Sequence, residues 1–228
     1  MEYGARAVAE MASAQRPHEV TVTEVGMLLC AAFVGDWERA RMHGERARAA
    51  ARALDDAGMA SFACGFLAWV CGESGDIERG LAFGNEAIAC GPTIYFAGWA
   101  GAFTAAVGCR GAQPEAALLT LADTTTTLRA SGHVSGYALI ALLLVEARLA
   151  AGELVVAKAE AQALKSLADG MPYPYVAHGA RVVEAEVARR SGDEHTARAL
   201  FEQAHAGYVA MGARDRAERV RARLSAAV

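Results

Sequence analysis

The sequence has little of what breaks a helix, since only five of its 228 residues are proline and only seven per cent are aromatic. Alanine, the residue that favours a helix most, is abundant. With 54% hydrophobic and 21% charged residues, the chain has enough apolar surface for a continuous core, which argues against a disordered chain. The composition therefore predicts an all-α fold.

A strong net charge and a long apolar segment are also missing. The formal net charge is −4, so nothing attracts a polyanion to the chain as a whole, and we expect no direct nucleic-acid partner. The uncharged run over 87–109 is interrupted by glycine, proline and threonine, so we expect no membrane span there. The N-terminus lacks the apolar region of a signal peptide, and the five cysteines form no CxxC pair. We expect a cytoplasmic protein whose cysteines are reduced core residues.

Motifs that carry chemistry are scarce. The sequence contains no GxSxG, HExxH, Walker loop or dinucleotide fingerprint, and its six histidines are scattered over turns and different helices. We therefore expect neither a metal ion nor another cofactor. Of the histidines, His178 is the candidate for a position in a binding groove.

A repeat of about 40 residues organises the chain. Five segments begin with glycine and have alanine or glycine five residues later: GDWERA at 35–40, GDIERG at 75–80, GAQPEA at 111–116, GELVVA at 152–157 and GDEHTA at 192–197. A glycine in the left-handed conformation ends a helix, an acidic residue favours the start of the next, and a small residue lets the two helices approach closely. The pattern predicts a series of antiparallel helix hairpins.

Second glycines, at 58, 91, 132, 170 and 212, are expected to close the hairpins. The prediction is a single domain over 1–228, a right-handed α-solenoid with hairpins at about 18–58, 59–91, 93–132, 134–170 and 174–212 and with end helices at 2–14 and 213–226. The run of threonines at 124–127 is expected to make the helix irregular there, because β-branched residues weaken a helix.

The last hairpin resembles the tetratricopeptide repeat, with Gly192, Asp193, Ala197, Phe201 and Ala204 at that family's spacing. The long period is similar to the sensor regions of large bacterial transcription activators of the maltose-regulator and LuxR type, and GYVAMGARDRAERVRARL resembles how such regions end. The resemblance implies a ligand- or protein-binding module within a transcriptional or signalling regulator. In the first four hairpins the family's aromatic residue of the second helix is replaced by smaller residues, Gly44, Gly84, Thr120 and Ala161.

In such a stack the first helices of the hairpins line a concave groove, and the first helices of hairpins two and three carry no charge. An uncharged wall that is open on one side needs a cover, so we expect a hydrophobic small molecule or a helix of a protein partner there. A second copy of the chain, in a homodimer, is a third possible occupant. The predicted groove residues are Val25, Leu29, Phe33, Phe62, Trp69, Gly101, Ala105, Leu142, Glu146, Glu186 and Arg189.

Two alternatives stay open at this stage. Glycines on one helical face often serve only close packing of helices, and an aromatic residue at helical spacing is more often core than ligand platform. The second alternative is a free-standing helical enzyme that acts on a hydrophobic substrate and uses Glu146 or Glu186 as acid or base. Salt bridges to Arg148, Arg181 or Arg189 would be the plain role of these two glutamates.

Overall fold

The computed structural model describes Arg6, 8–11, 16–132, 134–170 and 173–225. In these residues the chain is helical and has no strand, so the predicted all-α class is confirmed. The helices are α1 (Pro17–Phe33), α2 (Trp37–Ala53), α3 (Ala57–Glu73), α4 (Ile77–Cys90), α5 (Ile94–Gly108), α6 (Pro114–Ala130), α7 (Val134–Ala150), α8 (Leu154–Ala168), α9 (Pro174–Arg190), α10 (Glu194–Ala210) and α11 (Arg214–Ser225).

The chain forms two compact units, Met1–Leu128 (unit 1) and Arg129–Val228 (unit 2). Within unit 1, α3 packs against α1, α2, α4 and α5, and within unit 2, α9 packs against α7, α8 and α10. The single domain over 1–228 and its right-handed solenoid stay predictions. Of the predicted end helix at 2–14, Arg6 and 8–11 are helical and the rest lies outside the described residues. Among the described helices, none is long and apolar enough to cross a membrane.

One kind of turn recurs between the helices. Gly35, Gly75, Gly152 and Gly192 have φ between +75° and +88°, and the next residue's N–H donates to the carbonyl oxygen five positions before it, as Asp36 does to Ala31 at 2.9 Å. This pair of features satisfies the free carbonyls at a helix end. The aspartates that follow three of these glycines then cap the next helix through their side chains: Asp36, Asp76 and Asp193.

Four of the ten predicted turn glycines, at 58, 91, 111 and 170, do not have this positive φ, and two of them bear on the predicted contacts. Gly111 does not have a positive φ, and α6 begins three residues after it instead of two. The extra residue leaves Ala116 exposed and puts Ala117 against Gly108 of α5, so the predicted contact of Ala116 is wrong by one position. Gly58 does not close the first hairpin, because Asp55 takes the left-handed conformation with φ 56° and α3 has already begun at Ala57.

The threonine run leaves α6 regular over Pro114–Ala130, which corrects the expected irregularity. Thr124, Thr125, Thr126 and Thr127 each donate from Oγ1 to the carbonyl oxygen four residues before, at 2.6 to 3.2 Å. Each hydroxyl is therefore hydrogen-bonded to a carbonyl of α6 itself and does not pull the backbone out of the helical conformation.

Glycines on the second helix of a hairpin make room for side chains on the first helix of the following hairpin. A Cβ at Gly44 would lie 2.6 Å from Leu67 Cδ2, and a Cβ at Gly84 would lie 2.2 Å from Thr104 Oγ1 and 2.9 Å from its Cβ. Leu67 and Thr104 thus occupy the space beside these two glycines, and a larger side chain at position 44 or 84 would collide with them.

We expect Gly84→Ala to destabilise the protein. Thr104 cannot turn away freely, because its Oγ1 donates to the carbonyl of Ala100 at 2.6 Å. Overpacking of about 1–3 kcal/mol should exceed the gain in helix propensity of up to about 1 kcal/mol. Gly26→Ala is the matched control, because no atom lies within 4 Å of the added Cβ and the same substitution should stabilise the protein. Denaturant unfolding measures both, and equal stabilisation by the two variants would contradict the described contact.

Candidate functional site

The predicted groove residues of unit 1 divide into buried and partly exposed ones. Val25, Trp69 and Ala105 are buried, and Trp69 is only 2% exposed. The partly exposed ones are Leu29, Phe33 and Phe62. Of the seven predicted positions in unit 1, these three aliphatic and aromatic side chains present surface to solvent, together with the small half-buried Gly101.

Trp69 belongs to a cluster of aromatic rings. Its ring centroid lies 6.1 Å from that of Phe103, 6.2 Å from Phe66 and 6.0 Å from Phe33, and Phe66 lies 4.7 Å from Phe103. Trp99 joins the cluster through Phe66 and Phe103. The oily wall expected from the sequence is thus packed to a large extent against itself, at distances typical of aromatic pairs in a core.

The glycines of α5 serve close packing. A Cβ at Gly98 would lie 3.5 Å from Leu128, one at Gly101 would lie 3.9 Å from Thr124, and one at Gly108 would lie 2.9 Å from Ala117. All three partners are on α6. The plain alternative weighed for these glycines, helix packing, therefore accounts for the position of Gly101, which faces a neighbouring helix of its own unit.

An uncharged strip lies on the surface of α1. Val22, Gly26, Leu29 and Phe33 follow each other at intervals of four, three and four residues, which places them on one face of the helix. Val22 is 48% exposed, Gly26 is exposed with nothing within 4 Å of an added Cβ, and Leu29 and Phe33 are half-buried. We call these four residues the α1 strip.

Residues of α3 extend this surface. Met59 and Phe62 are partly exposed and pack, together with Leu29, against the buried cluster of Val25, Ala47 and Ala63. The α1 strip therefore continues across the seam between α1 and α3. Phe33 marks its other end, where its ring meets Trp69 of the aromatic cluster.

The charged residues of α1 do not interrupt the strip. Glu19 pairs with Arg16 at the start of the helix, and Glu24 points into the seam with α2. There Glu24 Oε2 lies 2.6 Å from His43 Nδ1, and the side chains of both residues are at most 6% exposed. The surface from Val22 to Phe33 thus has no charge of its own.

In unit 2 the predicted glutamates are engaged by arginines. Glu146 accepts from Arg216 Nη1 at 3.1 Å, and both oxygens of Glu186 accept from Arg189 Nη2, at 2.7 and 2.8 Å. Arg190 also donates to Glu186, at 2.8 Å. Leu142 is fully buried and fills the space beside Gly179. The salt bridge of Glu186 with Arg189 is one of those expected as the plain role of these carboxylates, whereas Glu146 pairs with Arg216 of α11, a partner that the sequence did not predict.

The ion pairs decide what Glu186 can do chemically. Burial raises the pKa of its carboxyl, but the hydrogen bonds and charges of Arg189 and Arg190 outweigh burial and the net pKa is lowered. A carboxylate held ionised in this way does not supply a proton near neutral pH. This argues against the role of acid catalyst that was considered for Glu186.

His178 and the cysteines occupy different environments. His178 packs against Gly207 and the ring of Tyr208, and burial followed by the charge of Arg181 lowers its pKa. Cys64 is buried and donates to Glu86 at 3.2 Å, and burial together with that carboxylate raises its pKa to about 12. Cys30 is exposed, so the prediction that all five cysteines are core residues is wrong there. It lies one residue after Leu29 and is an accessible thiol beside the α1 strip.

Glu86, a half-buried carboxylate of unit 1, was not predicted from the sequence. Arg48 donates to both of its oxygens, at 2.6 and 2.8 Å, and Arg52 donates to Oε1 at 2.7 Å. These groups are 34 to 38 residues apart in the chain, so no local pattern reveals them. Over the described part of the chain, no set of three His, Cys, Asp or Glu side chains is placed to hold a metal ion.

Comparison with known proteins gives no further identification. The chain matches no protein-family model, and no curated protein sequence matches it.

Proposed function

We propose that this protein is an interaction module that binds an amphipathic helix of a protein partner on the α1 strip and on Met59 and Phe62 beside it. The observation that carries the proposal is the exposure of an uncharged helical face: Val22 is nearly half exposed, and Gly26 has open space above it. Amphipathic helices bind surfaces of this kind with apolar residues at intervals of three and four positions.

The choice of a partner helix over a hydrophobic small molecule follows from the packing of the aromatic cluster. Trp69, Phe66 and Phe103 are each at most 3% exposed, so a small molecule could enter among them only by displacing rings from one another. The α1 strip is an open surface and needs no such displacement. Gly26 lies in its middle, and a glycine lets the backbone of another helix approach closely.

This module belongs, in our proposal, to the tetratricopeptide-like helical repeats, as the interaction region of a transcriptional or signalling regulator. Support comes from the recurring turn at Gly35, Gly75, Gly152 and Gly192, with the same positive φ and the same backbone hydrogen bond. A second function, that of an enzyme, has less support, because Glu186 and Glu146 are both engaged by arginines.

The proposal is tested by selecting a library of 18-residue helical peptides for binding to the protein. We expect enriched peptides to carry apolar residues at intervals of three and four positions. Gly26→Arg should weaken their binding at least about tenfold, because the new side chain puts bulk and charge in the middle of the α1 strip. The substitution adds a side chain where no atom lies within 4 Å, and it replaces glycine in a helix, so it should not unfold the protein.

Gly26→Ala is the control and should keep the binding, since a methyl group adds little bulk. An environment-sensitive dye on Cys30 reports binding beside the strip. Cys30 is exposed, and Cys64 with its pKa of about 12 stays protonated at pH 8, so replacing the half-buried Cys90 and Cys109 with serine makes the labelling selective. Peptides that bind Gly26→Arg as tightly as the unaltered protein would refute the proposal. A hydrophobic compound retained in native mass spectrometry and insensitive to Gly26→Arg would favour the small-molecule alternative.

A further inference from the structure

The basic residues of unit 1 are concentrated on α2. The segment 1–128 has fifteen acidic and nine basic residues, a net charge of −6. Five of these nine basic residues lie on α2: Arg39, Arg41, Arg46, Arg48 and Arg52. An arginine-rich helix on an otherwise acidic unit is a local electrostatic feature that the net charge of the chain hides.

Neighbouring carboxylates neutralise only some of these arginines. Arg48 and Arg52 share Glu86, and Arg39 pairs with Asp36 at 3.5 Å. Arg46 has only a long contact of 3.9 Å with the buried Glu24 and is 59% exposed. Arg41 makes no ion pair with the described residues. Two guanidinium groups on one helix are therefore left with little internal compensation.

Glu45, the acidic residue in the middle of α2, is already paired with an arginine of another helix. Glu45 accepts from Arg79 of α4 at 2.5 Å. Glu38 is exposed in the first turn of α2, where the helix dipole stabilises a negative charge. Among the described residues, the unpaired charges of this surface are thus those of Arg41, Arg46 and Glu38, which leave one net positive charge for a partner.

These arginines border an open depression of about 990 Å³ along α2. Met42, 38% exposed, and Ala49 give it an apolar floor between the charged side chains. The full lining is Asp36, Glu38, Arg39, Arg41, Met42, Glu45, Arg46 and Ala49. It extends over about 20 Å of helix, since each residue adds about 1.5 Å. That length accommodates about four turns of a second helix.

We propose that this depression is a second interaction surface, independent of the α1 strip, which binds an acidic helical segment of a protein partner. Glutamates of the partner at intervals of three or four positions would pair with Arg41 and Arg46, and an apolar residue between them would contact Met42. Arginine forms such pairs in a bidentate manner. Glu38, which makes no ion pair with the described residues, disfavours a polyanion such as nucleic acid, which presents one negative charge after another, whereas a helix can place its glutamates opposite Arg41 and Arg46 and away from Glu38.

The probe is a synthetic 18-residue helical peptide with glutamates at every third or fourth position and leucines between them. Fluorescence anisotropy at 50 mM salt should detect its binding, and 500 mM salt should weaken it strongly, because exposed charges are screened. Arg41→Gln together with Arg46→Gln should weaken binding about fivefold or more. The matched control, Arg198→Gln with Arg221→Gln, removes the same charge from exposed positions of unit 2 and should have no effect.

Two further measurements decide between partner classes and between surfaces. A scrambled peptide of the same composition should bind at least about threefold more weakly, and a DNA duplex should not compete. Gly26→Arg on the α1 strip should leave peptide binding unchanged. Each of three results would overturn the proposal: no binding at 50 mM salt, equal binding by the Arg41→Gln, Arg46→Gln variant, or competition by DNA.

Discussion

Trp69→Ala should lower the free energy of unfolding by about 3–5 kcal/mol, the range for removing a large aromatic side chain from a core. Trp69 is 2% exposed and contacts the rings of Phe33, Trp37, Phe66 and Phe103 at centroid distances of 6.0 to 6.3 Å. Its removal leaves a cavity that the surrounding rings cannot fill without leaving their own contacts. Denaturant unfolding followed by circular dichroism measures the loss.

Trp69→Phe is the control for this prediction. It keeps an aromatic ring in the cluster and should cost less than half as much as Trp69→Ala. A change of less than about 1 kcal/mol for Trp69→Ala would mean that the ring lies outside the core, as a residue of an open groove would. The result also matters for binding experiments, because a loss of affinity in this variant would reflect lost stability instead of a lost contact.

The sequence predicted the all-α class but not the environment of α3. Residues 59–72 carry no charge on any face, which fits both the open wall of a groove and a helix enclosed on all sides. Periodicity cannot separate these two cases, because neither leaves a polar face. Contacts of α3 with α1, α2, α4 and α5 enclose it on most sides. Of the helices that line the predicted groove in the described part of unit 1, α1 keeps an uncharged face with an exposed valine and glycine.

The turns could be predicted because their causes are local. A glycine in the left-handed conformation followed by a capping aspartate involves six consecutive residues, and it occurs as predicted at Gly35, Gly75 and Gly192. Gly111 differs because its loop is one residue longer. Ion pairs such as Arg48 with Glu86 could not be predicted in the same way, since their partners come from different helices and the spacing alone does not fix which side chains meet.

The second large effect on stability is expected from substitutions in the buried pair of Glu24 and His43. His43→Leu should lower the free energy of unfolding by about 3–5 kcal/mol, because it leaves the carboxylate of Glu24 buried in the seam between α1 and α2 without its 2.6 Å partner. Arg46 does not replace His43, since it lies 3.9 Å from Glu24 and is mostly exposed. Chemical denaturation measures the effect.

The double variant Glu24→Leu, His43→Leu separates loss of the pair from loss of packing. If the cost of His43→Leu comes from an uncompensated buried charge, removing the carboxylate as well should restore most of the stability, because two apolar side chains can replace a buried ion pair at little cost. If the double variant is instead as unstable as the sum of the two single ones, the seam needs the shapes of these side chains and not their mutual interaction. That outcome would contradict the explanation by an unpaired buried carboxylate, whereas recovery would show that apolar packing holds α1 against α2 and that the hydrogen bond between Glu24 and His43 only offsets the cost of burying the two groups.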